Sequence, residues 1–309
     1  MSPLYRILSL DGGGIRGLLT TCLLERLAAA CPGFLEQVDL FAGASSGALT
    51  ALALAAGWTP TQCRQFYEHY GPAVFADSFW DNVRDLGHAI GAQYSSLALK
   101  DFLSAQFGTR ALGDLPRRVL IAAFDLDNAP TSPLVFRQWK PKFFHNFPAT
   151  PECASDAHEL IVDVALRTSA APTYFPIYQG YIDGGVAANN PATCALAQAL
   201  NNATGRQKLE DVVLLSLGVG RNSRYLSVQD ADWGWVQWGP HLIDLLLEAT
   251  SDIADYQCRQ LLGAHYLRLN PLLSEQINLD SVDKIERLKE IAAAVDLTAP
   301  ITWLRTHFI

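Results

Sequence analysis

The chain is poor in positive charge, in long apolar runs and in clustered cysteine, and each shortage removes a class of function. Among 309 residues, 23 are Lys or Arg against 31 Asp or Glu, a net charge of −8. A nucleic-acid surface needs clustered cations to displace counterions, so no nucleic-acid polymer is expected as a partner. The same deficit removes a polybasic route to anionic membranes, and any lipid contact should be apolar and local. No stretch reaches the ~18 unbroken apolar residues of a membrane span. The first ten residues run into a strand pattern, without the charged start, apolar stretch and cleavage site of a secretion signal. The six cysteines (Cys22, Cys31, Cys63, Cys153, Cys194 and Cys258) include no C-x-x-C pair. Scattered thiols suit a reducing compartment rather than a disulfide framework. A soluble, cytoplasmic protein is the expectation.

What is present is a packed α/β pattern. Half of the residues are hydrophobic and 17% charged, enough for a large core within one domain over residues 1–309. Short apolar runs at 5–10, 38–43, 118–125 and 212–218 read as buried strands. Helix-like stretches at 17–30, 47–56, 160–168 and 192–200 separate them. That alternation predicts a mostly parallel sheet covered on both faces. Residues 71–108 hold aromatic and apolar side chains without strand character and read as a helical excursion. Residues 280–295 form an amphipathic helix pattern with Val282, Ile285, Leu288 and Ile291 on one face, suited to packing.

Two glycine-bearing turns carry the chemistry. Gly43-Ala44-Ser45-Ser46-Gly47 sits between a strand and an alanine-rich helix. Glycines two before and two after the serine permit a tight crossing that lifts its hydroxyl above the sheet edge, a nucleophile elbow. The helix that follows turns its positive end toward any developing negative charge. Asp11-Gly12-Gly13-Gly14-Ile15-Arg16-Gly17 follows the first strand and opens a helix. Its bare N–H groups suit a bound anion or a transient oxyanion. Gly12-x-Gly14-x-x-Gly17 also matches the dinucleotide fingerprint, with Glu36 and Asp39 near the distance of a ribose-binding acid. Asp39, however, begins its strand rather than ending it. A P-loop is excluded, because no Gly-Lys-Ser/Thr follows the glycines. The seven histidines are scattered. His241 and His265 come late enough in the chain for a Ser–acid–His order, but neither sits in a strand-end glycine loop.

Together with Thr168-Ser-Ala-Ala-Pro-Thr-Tyr-Phe-Pro176, Asp183-Gly184-Gly185, Asn189-Asn190-Pro191 and Ser216-Leu-Gly-Val-Gly220, these motifs resemble the patatin-like phospholipases in order and spacing. The resemblance implies a three-layer α/β/α fold with a mostly parallel central sheet. It implies hydrolysis of acyl esters of phospholipids or other acyl lipids through an acyl-enzyme, with transient membrane contact and neither metal nor cofactor. Carried over by residue, Ser45 is the nucleophile and Asp183 the general base. The backbone N–H groups of Gly12, Gly13 and Gly14 form the oxyanion hole. Arg16 is a candidate phosphate contact or a tie for its own loop. Two other readings stand beside this one. Some bacterial relatives are membrane-degrading effectors of phage defence switched on by a cyclic nucleotide, and the fold could also serve as a catalytically silent lipid-binding module.

An aspartate before two glycines is otherwise a common turn residue. As a base, a carboxylate near its usual pKa of about 4 is weak, and burial in a dry pocket would strengthen it. That pocket is expected between the excursion after Gly71 and helices near Leu242 and Leu247. Trp233, Trp235 and Trp238 are expected to pack a core or cover the pocket, with a membrane interface as the alternative. Residues 137–147, mixing Arg, Lys, Pro and aromatics, read as a proline-interrupted surface loop, alternatively a contact for lipid head groups.

Overall fold

The computed structural model describes residues 4–75, 92–129, 136–151, 153–223, 225–226 and 232–309. At its centre, β1 (Tyr5–Leu10) pairs in parallel with β2 (Leu40–Ala44) on one side and β6 (Val212–Leu217) on the other. Outward from these lie β3 (Arg118–Asp125) and β7 (Tyr266–Leu269), also parallel. β4 (Lys140–His145) closes one edge antiparallel to β3, giving the order β4-β3-β2-β1-β6-β7. A short β5 (Tyr181–Asp183) also pairs antiparallel with β3, and the single turn α6 (Gly185–Ala188) follows it.

The strands are apolar on both faces because both are covered. In β6, Val213 and Leu215 enter one core while Val212 and Leu214 enter the other. The larger core includes residues of α1 (Gly17–Ala30), α2 (Ser45–Ala55), α3 (Pro60–Val74), α4 (Leu97–Phe107), α5 (Ile161–Thr168) and α9 (Ile285–Ala294). α7 (Ala192–Leu200) and the end of α8 (Trp235–Leu262) cover the opposite face through Ala195, Leu196, Ala199, Cys258 and Leu262. The result is the three-layer α/β/α arrangement expected from the alternation. Among the described residues, no helix is long and apolar enough to cross a membrane.

The expected elements at 5–10, 118–125, 17–30 and 192–200 agree residue for residue with β1, β3, α1 and α7. β2 begins later than expected, since the Asp39 carboxylate accepts the Arg6 N–H at 2.8 Å before pairing is established. In α9, Leu288 is fully buried and Ile285 and Ile291 pack against the larger core, as the amphipathic pattern requires. Of the excursion over 71–108, α4 is helical; residues 76–91 lie outside the described residues.

Two expectations are corrected. Residues 137–147 are not simply a surface loop: β4 occupies their centre and buries Phe144 completely. Pro141 is tolerated there because β4 is an edge strand, where one side of the ladder needs no N–H. The tryptophan group is not in a core. Trp235 is 84% exposed, Trp238 is exposed, and Trp233 meets Trp238 edge-on and stacks on His241. These residues form and precede the projecting first turns of α8.

Candidate active site

Backbone geometry singles out Ser45. It ends β2 and opens α2 with φ of 51°, a left-handed conformation rare outside glycine and expected at a nucleophile elbow. The flanking glycines are required by contact. A Cβ on Gly47 would sit 2.3 Å from the Leu10 carbonyl oxygen, and one on Gly43 would sit 2.5 Å from the Cα of Ala48.

Strand register brings Asp183 to the same place. β2 pairs with β3 as far as Ala44 opposite Ala122 and then leaves the sheet as α2. β5 takes over that edge of β3 one residue later, with Asp183 opposite Ala123. The carboxylate therefore arrives where the serine turns out of the sheet. It accepts the Gly185 N–H at 2.7 Å. Asp183 is only 4% exposed, and burial pushes its pKa up to about 6 against the opposing pull of the Ser45 side chain and the Gly185 N–H.

Three residues not singled out from the sequence hold this arrangement. The Thr168 hydroxyl accepts the Ser45 N–H at 2.9 Å and donates to the Ala122 carbonyl at 2.5 Å, clamping the elbow to β3. The Ser46 hydroxyl accepts the Gly13 N–H at 3.0 Å, tying the elbow to the glycine loop. Arg268 of β7 makes a buried bidentate ion pair with Asp11, one contact at 2.7 Å, and donates to Ser216 at 2.8 Å, so the loop starts from a fixed point. Thr168 lay within a quoted motif, but nothing in its spacing announced a contact with a residue more than 120 positions away.

Of the glycine-loop N–H groups, Gly12 donates to the Asn189 carbonyl at 3.1 Å and Gly13 to Ser46. Gly14 has no such partner among the described residues. Gly13 and Gly14 line the same cavity as Ser45, while Gly12 does not. Arg16 donates to the carbonyls of Gly13 and Gly220 at 3.5 and 3.4 Å and borders a polar cleft separate from the Ser45 cavity. Asp39 stands at the opposite end of the sheet from the glycines, which removes the ribose-binding acid of the dinucleotide reading.

Ser45 and Asp183 open into the same cavity. Its wall is mainly apolar: Ile15, Leu49, Phe66, Val74, Phe75, Leu99, Phe175, Ile243 and Leu247 among others. Gly71, Val74 and Phe75 on one side and Ile243 and Leu247 of α8 on the other contribute, as expected. Two buried polar atoms of lining residues, Ser169 Oγ and Asn189 Oδ1, have no hydrogen-bond partner among the described residues. Histidine is absent from the described lining. His241 stacks on Trp233, and His265 packs against His307. No group of three or more His, Cys, Asp or Glu residues with metal-binding geometry occurs among the described residues.

Comparison with known proteins identifies the family. The family model for patatin-like phospholipase matches residues 8–196, from β1 through the elbow, β5 and into α7. The chain belongs to the patatin-like phospholipase family. Its relatives include CotR of Bacillus subtilis, 35% identical across 75% of this chain and 68% of that protein. Protein teg of Priestia megaterium is 32% identical across 86% of this chain and 87% of its own length. A cGAMP-activated phospholipase of Pseudomonas aeruginosa is 30% identical across 87% of this chain and 78% of its own. As a patatin-like phospholipase, the protein is a lipid acyl hydrolase with the family's α/β/α fold.

Proposed function

We propose that Ser45 and Asp183 form the catalytic dyad of a hydrolase that cleaves fatty-acyl esters of glycerolipids. The observation that carries this reading is that sheet register sets the left-handed Ser45 and a buried carboxylate together on one apolar cavity. The Ser45 oxygen attacks the ester carbonyl carbon as its proton passes to Asp183, and the carbonyl π electrons move onto oxygen. A carboxyl whose pKa is pushed up to about 6 is a better base than an exposed one and is still ionised at neutral pH. The oxyanion is met by the N–H of Gly14, by that of Gly13 once Ser46 yields it, and by the positive end of α2. Gly12 is left out of this role, since its N–H is engaged by Asn189. Collapse breaks the ester C–O bond, and the leaving alcohol takes the proton held by Asp183. Water then repeats the sequence on acyl-Ser45 and releases the fatty acid. Ser169 Oγ and Asn189 Oδ1 supply unspent hydrogen-bonding capacity for the polar part of the substrate. One core containing both Leu8 and Phe308 supports reading residues 1–309 as one catalytic unit.

The test is fatty-acid release from phospholipid vesicles by the native protein and by Ser45→Ala. Release that falls by about 10⁴-fold or more in the variant supports a serine nucleophile; equal release rejects it. A second reading, activation by a cyclic dinucleotide, is favoured by the Pseudomonas relative's name. Release that rises on adding one member of a cyclic-nucleotide panel would support it, and an unchanged rate across the panel would reject it.

A further inference from the structure

Helix α8 carries three kinds of surface along its length. Ile243 and Leu247 line the acyl cavity. Asp244, Glu248 and Asp252 line the neighbouring polar cleft, where Asp252 pairs with Arg221 at 2.8 Å. The third surface faces solvent and is apolar: Trp235, Trp238, Leu242, Leu245, Leu246 and Ile253 are all exposed, from 37% at Leu242 to 84% at Trp235. At 100° per residue these six positions fall within a stripe about 100° wide, and from Trp235 to Ile253 it runs about 27 Å. No charged residue falls within it: of the four acidic residues on the helix, Asp252 borders the stripe, and Asp244, Glu248 and Asp255 lie further round. Isolated exposed apolar residues are ordinary, but an uninterrupted stripe this long is an interaction surface.

We propose that this stripe lies flat on an electrically neutral lipid bilayer and holds the cavity mouth against the acyl chains. The occupant follows from position and charge. Leu246 on the stripe stands one turn from Ile243 in the cavity wall, an i,i+3 neighbour on the helix surface, so the surface that meets lipid adjoins the space that would receive it. Tryptophan at the first turns suits the boundary between head groups and hydrocarbon. The stripe has no Lys or Arg and the chain carries a net charge of −8, which favours apolar insertion into neutral lipid over attraction to an anionic surface. A second copy of the chain is the competing occupant, and it would cover the helix beside the cavity rather than deliver substrate to it.

The proposal rests on the lipid-hydrolase reading above, and the experiment separates the two. Full-length Ser45→Ala protein is mixed with phosphatidylcholine vesicles, and flotation and tryptophan emission are followed at low and high salt. Co-flotation with a blue shift, insensitive to salt, is expected. Adding Leu246→Glu and Ile253→Glu should weaken partition by about tenfold or more. Trp235→Ser, at a position too exposed to affect folding, should weaken it by a smaller factor. With Ser45 restored, the same substitutions should lower release from vesicles by about the factor lost in partition, yet leave hydrolysis of a soluble short-chain ester within about twofold. Partition that ignores the stripe substitutions overturns the proposal. So does a solution dimer that the glutamates dissociate, with no vesicle binding. Failure of the native protein on the soluble ester would instead count against the dyad, while flotation of Ser45→Ala would still decide the docking.

Discussion

Asp11 and Asp183 make an instructive pair. Each opens an Asp-Gly-Gly sequence at a strand end, and each is almost completely buried, at 2% and 4% exposure. Burial pushes both carboxyls upward. At Asp11 the Arg268 guanidinium pulls back with a bidentate contact, so the charge is neutralised locally and serves to anchor the glycine loop. Among the described residues no cation pairs with Asp183. Only a serine hydroxyl and one backbone N–H oppose its burial, and its pKa stays near 6. The same tripeptide therefore gives a structural anchor where an arginine meets it and, where none does, a buried carboxylate with the raised pKa that the proposed base requires.

The largest expected effect falls on the second site. Asp183→Asn keeps the shape and the Gly185 contact but loses the base, and kcat/KM should drop by about 10³–10⁴-fold in an ester assay. At the first site the change is in stability. Arg268→Met strands a buried carboxylate and should cost about 3–5 kcal/mol in denaturant unfolding; removing Asp11 and Arg268 together should cost less. Asp183→Asn should also separate the two sites by sign. The folded pKa near 6 lies above the unfolded value of about 4, so the folded state holds the extra proton between them. Stability from this group is full below about pH 4 and is lost as pH rises through 6, so Asp183→Asn should raise stability at pH 7 by about 2 kcal/mol. The smallest effect belongs to the elbow clamp. Thr168→Val orphans the Ser45 N–H and the Ala122 carbonyl, and should cost about 1–3 kcal/mol with a fall in kcat of about tenfold.

Legibility in the sequence followed the range of the interactions. β1, β3, α1 and α7 could be read because continuous apolar runs and helical periodicity are local. The elbow and the Asp-Gly-Gly turn were likewise visible as local patterns. β5 has three residues and no periodicity of its own; only its register on β3 gives it meaning. β4 was obscured by Pro141 and its lysines, which belong to an edge strand as well as to a loop. The start of α8 was hidden by Gly234, Gly239 and Pro240, and its tryptophans looked like core residues because composition does not say which way a helix face points. Ser46, Thr168 and Arg268 act through partners 33, 123 and 257 positions away, and no spacing rule reaches that far. The Gly12 N–H seemed available in the sequence for the same reason: its acceptor, the Asn189 carbonyl, comes from a distant turn.

The central claim is that an unpaired, buried Asp183 does the work usually given to histidine. Its most direct test is kcat/KM against pH on a soluble ester for the native protein and Asp183→Asn. The account predicts a rate that rises about tenfold per pH unit up to a single inflection near pH 6 and then levels, and a variant whose residual rate lacks that inflection. An inflection that survives in Asp183→Asn, or a variant within about tenfold of the native rate, would contradict it.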